Sequence, residues 1–128
     1  MALQKSAKIL VIDDNTEITE LLSKFLRLQN YDITVANDGK TGISLLLNQK
    51  FDVLLLDVSM PGFNGSDIID TLAKQGRIKY QKIIILTAVN MSQEETDGLL
   101  ELGIYCCLLK PVEMDVLVKT IDSSFSTV

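Results

Sequence analysis

Four consecutive aliphatic residues, Val53 to Leu56, run without a polar break into Asp57, and the chain then passes into the turn-rich stretch Val58-Ser59-Met60-Pro61-Gly62-Phe63-Asn64-Gly65. A strand with no polar face suits a sheet covered on both sides, which is the situation of a parallel sheet flanked by helices. In open sheets of that kind, ligands bind beyond the carboxyl ends of the strands. Asp57 stands at such an end, where an aspartate is either a turn cap or the reactive group of a site.

The same pattern recurs along the chain. Lys8 to Ile12 is an apolar strand that stops at Asp13-Asp14, and Ile18, Leu21, Leu22, Phe25 and Leu26 then follow the helical spacing of one buried stripe up to about Asn30. Tyr31 to Val35 alternates like an edge strand, and the turn Asn37-Asp38-Gly39 leads into a helix carrying Ile43, Leu46 and Leu47 inward. After the central strand, Asp67 to Ala73 reads as a short helix with Ile68, Ile69 and Leu72 inward, and Lys82 to Thr87 as a fourth strand that ends in a hydroxyl. Ser92 and Glu95 form a capping-box pattern ahead of Leu99, Leu100 and Leu102, and Gly103 closes that helix. Tyr105 to Leu109 is a fifth strand ending in Lys110-Pro111, and Met114, Leu117, Ile121 and Phe125 set a final helical stripe. Five alternating strand and helix units with short connections predict a doubly wound parallel α/β sheet with helices on both faces. At 128 residues the chain has room for one such domain and not for two.

Composition narrows the function. With 47% hydrophobic and 23% charged residues the chain is that of a filled globule, not of a disordered segment. No apolar run approaches the roughly 18 residues of a membrane span. The stretch Met1 to Ser6 reads as a flexible lead-in without the apolar centre of a signal peptide, so the expectation is a cytoplasmic protein that does not engage a membrane. A net charge of -5 and the lack of a basic stripe argue against direct nucleic-acid binding. Cys106 and Cys107, neighbours in an apolar run, read as reduced core thiols and are too few for a cysteine metal site.

At the carboxyl ends of the predicted strands stand Asp13, Asp14, Asp57, Thr87 and Lys110. Each alone has an ordinary explanation as a cap, a strand-end hydroxyl or a surface amine, but all five fall on one edge of the sheet. Crowded carboxylates demand a cation, hard oxygen ligands suit Mg2+, and a hydroxyl with an amine can hold phosphoryl oxygens. At this point the sequence resembles the receiver domain of two-component response regulators. The resemblance covers about Ala7 to Phe125 and rests on Val11-Ile12-Asp13-Asp14, Leu56-Asp57 with Met60-Pro61-Gly62 and Gly65, Thr87-Ala88, Gly103 and Lys110-Pro111. It implies a flavodoxin-like sheet in the order 2-1-3-4-5 and a Mg2+-dependent (or Mn2+-dependent) phosphorylation of Asp57 by a histidine kinase or histidine phosphotransfer protein. It further implies that Asp14, Asp57 and the Ser59 backbone carbonyl bind the metal, that Asp13 acts through water, and that Thr87 and Lys110 hold phosphoryl oxygens. A cis bond before Pro111 belongs to the same resemblance, as does the status of a phosphoacceptor signalling domain that assists its own phosphotransfer and dephosphorylation without being an enzyme in the ordinary sense. The reading is one receiver domain over 1–128 with no output domain, compatible with a free-standing regulator and with an excised receiver; kinase, signal and downstream partner stay open.

Rival readings fail on particular residues. Gly39-Lys40-Thr41 imitates the end of a P-loop, but Thr34 stands where the first glycine belongs. Asp13-Asp14 would repel a flavin phosphate, and Ser59 replaces the second acid of a haloacid-dehalogenase-like phosphatase. The remaining alternative is a receiver-like scaffold that binds partners without phosphorylation. Val89, two residues beyond Thr87, cannot hydrogen-bond the water that would hydrolyse the acyl phosphate, which predicts slow self-dephosphorylation relative to a Val89→Glu variant. The departure from the family lies at Cys107, which occupies the position of the usual aromatic switch residue. Tyr105 lies on the same face of an extended strand, about 6.5 Å further from Lys110. The coupling between Thr87 and the face built from Met91 to Leu102 and Tyr105 to Phe125 is therefore expected to be weak or to run through loop movement instead.

Overall fold

Each apolar run forms a strand and each 3.6-residue stripe a helix. The structure, a computed structural model, describes residues 7–58, 65–78, 81–88 and 90–125. In chain order these hold β1 (Lys8–Ile12), α1 (Thr16–Leu28), β2 (Asp32–Ala36), α2 (Gly39–Asn48), β3 (Val53–Asp57), α3 (Gly65–Lys74), β4 (Lys82–Thr87), α4 (Gln93–Leu102), β5 (Cys106–Leu109) and α5 (Met114–Ser124). The strands make one parallel sheet in the order β2-β1-β3-β4-β5. No described helix is long and apolar enough to cross a membrane.

Strand alternation divides the interior into two layers. Leu10, Ile12, Leu54, Leu56, Ile83 and Ile85 meet Leu46 of α2 and Ile68, Ile69 and Leu72 of α3, with Leu99 of α4 packed alongside. The intervening residues Ile9, Val11, Val53, Leu55, Ile84 and Leu86 meet Leu22 and Leu26 of α1 and Leu117 and Ile121 of α5. The central strands are apolar on both faces because both faces are covered. Each of these fully buried aliphatic side chains stabilises the fold by about 1.5–3 kcal/mol.

Helix ends follow local chemistry. Asn15, not Asp13 or Asp14, caps α1 by accepting from the Ile18 amide, and Asp38 caps α2 by accepting from the Thr41 amide and hydroxyl. Those two bonds, the amide first, hold the Asp38 carboxyl below its ordinary pKa. The expected capping box of Ser92 and Glu95 is fully formed, and Gly103 ends α4 in the left-handed region at φ 112.

Several expectations need correction at the surface. Leu21 is 58% exposed, because the buried stripe of α1 runs through Leu22 and Leu26 and leaves Leu21 on the flank facing Pro111, Val112 and Met114. Leu47, Leu100 and Leu102 are exposed, and so is Phe125, which follows the last turn of α5. β2 is displaced by one residue, leaving Tyr31 outside it and Ala36 inside. Cys106 and Cys107 are free as expected, but each is only half-buried because β5 is an edge strand, and they face opposite layers. Burial, with a smaller contribution from Cys107, still pushes the Cys106 thiol up to about 11.

The backbone of α2 passes close to β1 at Gly42. A Cβ on Gly42 of α2 would stand 2.4 Å from Ile12 Cδ1 and 2.9 Å from Cγ1, and Ile12 is fully buried immediately before Asp13. Gly42→Val is therefore expected to destabilise the domain by about 2–3 kcal/mol through overpacking, read from the midpoint of urea unfolding. An unchanged midpoint would mean that the Ile12 side chain moves aside at no cost.

Candidate functional site

The sheet order sets β1 beside β3, with Ile12 opposite Leu56, so the residues that follow, Asp13 and Asp57, emerge together at one edge. On the other side of β3, Asp57 is opposite Leu86, and Thr87 extends one residue beyond. Thr87 is opposite Leu109, and the Lys110 amide donates to the Thr87 carbonyl at 2.7 Å. The sequence-predicted Asp13, Asp14, Asp57, Thr87 and Lys110 are thus gathered by backbone pairing alone. Asp13, Asp57 and Thr87 are 2%, 5% and 3% exposed, whereas Asp14 is exposed. The Lys110–Pro111 bond is cis.

One carboxylate oxygen from each of Asp13, Asp14 and Asp57 lies within 4.8 Å of the others. Lys110 Nζ donates to Asp13 Oδ2 at 2.6 Å and stands 3.9 Å from Asp57 Oδ2. The lysine is therefore committed to Asp13, a pairing that strand-end position alone did not suggest. Three hard carboxylates opening toward solvent at Asp14 fit the oxygen-ligand chemistry of Mg2+. Ser59, expected to give a backbone carbonyl, and Val89 lie outside the described residues, as do Met60, Pro61 and Gly62.

Asp13 is held at every polar atom. Its amide donates to the Ala36 carbonyl at 3.1 Å, its Oδ1 accepts from the Asn15 amide at 3.0 Å, and its Oδ2 takes the lysine. Its carbonyl accepts from Asn37 Nδ2 at 2.9 Å, and the same nitrogen donates to Thr19 Oγ1 at 2.9 Å. Sequence reasoning saw Asn37 only as a turn residue. Nothing in the spacing points to this long-range bond, because it depends on β1 and β2 pairing in register.

The expected geometry of the switch region is also corrected. Tyr105 precedes β5, so strand alternation does not extend to it, and it packs on the layer of α1 and α5 while Cys107 packs on the opposite one. The Tyr105 hydroxyl is 2.9 Å from Ser123 Oγ in α5, and Lys82 Nζ sits 5.3 Å from its ring centroid. Held there, Tyr105 cannot fill the space beside Cys107. Cys107→Tyr is accordingly expected to enlarge the amide shifts that beryllofluoride produces across Ile104 to Leu109 and α4. Equally large shifts in the native protein would show that no aromatic ring is needed.

A family model described as the response regulator receiver domain matches residues 9–122. The transcriptional regulatory protein CpxR homolog of Haemophilus influenzae is 39% identical over 105 residues, which is 82% of this chain and 44% of that protein. The chain thus spans less than half the length of that relative. The receiver domain of Francisella response regulator 1452 superposes with a TM-score of 0.85 at 30% identity, over 94% of this chain and 98% of the other. Response regulator protein TrrA of Thermotoga maritima, solved in complex with Mg(2+)-BeF, gives 0.77 at 27% identity, over 92% and 98%.

Proposed function

Since the chain belongs to the response regulator receiver domain family, we propose that Asp57 accepts a phosphoryl group from a histidine kinase or histidine phosphotransfer protein and that the modified domain signals through its surface. An Asp57 oxygen attacks phosphorus, the bond from phosphorus to the imidazole nitrogen of the donor breaks, and its electron pair stays on that nitrogen. The product is an acyl phosphate on Asp57. A carboxylate needs no base to become a nucleophile, which suits a site without histidine. The observation that carries the reading is three carboxylate oxygens within 4.8 Å of one another with the Lys110 ammonium 2.6 Å from one and 3.9 Å from another.

Asp14 and Asp57, with the Ser59 carbonyl, would hold Mg2+ or Mn2+, and Asp13 would contribute through water. Bound there, the metal would neutralise charge on the phosphoryl oxygens. Lys110, already within 3.9 Å of Asp57, would turn from Asp13 toward a phosphoryl oxygen, and the Thr87 hydroxyl would donate to another. The Mg(2+)-BeF complex of the Thermotoga maritima relative supports this chemistry by likeness.

The test is incubation with acetyl phosphate and Mg2+ followed by intact mass measurement. An added mass of about 80 Da is expected, with none after chelation of the metal. Failure to label with acetyl phosphate and with a phosphorylated histidine phosphotransfer protein would favour the non-phosphorylated scaffold.

A further inference from the structure

Asn37 sits between two fixed points. Behind it, Ala36 ends β2 and accepts from the Asp13 amide; ahead of it, Asp38 caps α2 through two bonds to Thr41. With its backbone held on both sides, its side chain reaches across to the loop after β1 and spends one nitrogen on two acceptors, the Asp13 carbonyl and the Thr19 hydroxyl. Thr19 is 2% exposed, and its hydroxyl donates to the Thr16 carbonyl in the first turn of α1. The bond to the Asp13 carbonyl acts on the peptide that joins Asp13 to Asp14. That peptide sets the direction in which both carboxylates leave the chain.

We propose that Asn37 is a positioning residue for cation binding, fixing the Asp13–Asp14 peptide so that the two carboxylates converge with that of Asp57. The proposal rests on the phosphoacceptor reading above, because the cation is the one that reading requires. Partners that orient ligands without touching the metal commonly change its affinity by about 10–100-fold. Asn37 acts on backbone and not on a ligand oxygen, so the lower end of that range applies. The Thr19 branch serves a different purpose. It fastens the asparagine to α1, and the Asp13 bond does not pass through it.

The experiment is a Mg2+ titration of the isotope-labelled, metal-free protein followed by backbone amide shifts, with Asn37→Leu, Asn37→Ser and Thr19→Val. Leucine keeps the shape without the donor, and serine tolerates the turn but is too short to span to Asp13. Both Asn37 variants are expected to bind Mg2+ about tenfold more weakly, and in the metal-free state their Asn15 amide, which donates to Asp13 Oδ1, should exchange faster with solvent. Thr19→Val should stay within about twofold of wild type, since valine keeps the β-branched shape and the Asn37 donor can still reach the Asp13 carbonyl. If Asn37→Leu does not fold, Asn37→Ser decides alone. Wild-type affinity in a folded Asn37 variant, or equal weakening by Thr19→Val, overturns the inference and leaves the phosphoacceptor reading standing. A wild-type protein that binds no Mg2+ overturns both.

Discussion

Asp57→Ala is expected to take up no phosphoryl group from acetyl phosphate and Mg2+, so that the adduct of about 80 Da falls to background. The loss should be complete because, if Asp57 is the phosphoacceptor, the variant lacks the oxygen that forms the new bond and not merely a group that assists it. Neighbouring acids do not substitute for it. Asp13 has Oδ1 bonded to the Asn15 amide and Oδ2 to Lys110, and Asp14 is exposed at the mouth of the cluster instead of at the buried strand end. The fold survives, since Asp57 closes β3 after four residues whose burial does not depend on it. Removing one of three crowded carboxylates also lowers their mutual repulsion, so metal-free Asp57→Ala should unfold at no lower urea concentration than wild type. An undiminished adduct on a folded alanine variant would sink the assignment of Asp57.

The layers of the fold were legible because central parallel strands cannot alternate. Val53 to Leu56 and Ile83 to Leu86 are apolar at every position, and the structure buries every one. Period and burial part company at the rim. Leu21 and Leu100 keep helical spacing yet face solvent, since spacing gives the stripe and not its width. The acids at strand ends were legible for a similar reason: strand ends in a parallel sheet share one edge whatever the intervening sequence. Which partner each takes was not. Lys110 lies on Asp13, and Asn37 lies on the carbonyl of that same residue, because parallel register sets those distances and a register of β1 against β2 leaves no local mark in the chain. Tyr105 failed in the same way, since alternation was extended one residue past the start of β5.

Lys110→Ala should produce the second large effect, and metal should reverse it. In wild type one ammonium group compensates two buried carboxylates, at 2.6 Å from Asp13 and 3.9 Å from Asp57, and the lysine side chain is itself only 18% exposed. Deleting one partner of a buried pair costs more than the pair contributes, because the remaining charge keeps its desolvation penalty without its counter-charge; fully buried pairs lose about 3–5 kcal/mol. This site opens to solvent at Asp14, so a loss of about 2–3 kcal/mol is expected in chelator, measured by urea unfolding. Mg2+ bound at the three carboxylates would supply the missing positive charge, and at a concentration of about 100 times its dissociation constant would add roughly 2.7 kcal/mol. The variant should therefore gain more from Mg2+ than wild type does, because in wild type the Lys110 ammonium already offsets part of the carboxylate charge that would attract the ion. Equal stabilisation of the two proteins would show that the lysine and the cation do not compete for the same carboxylates, and a variant as stable as wild type in chelator would show that the Lys110 ammonium is not what offsets the buried charge of Asp13.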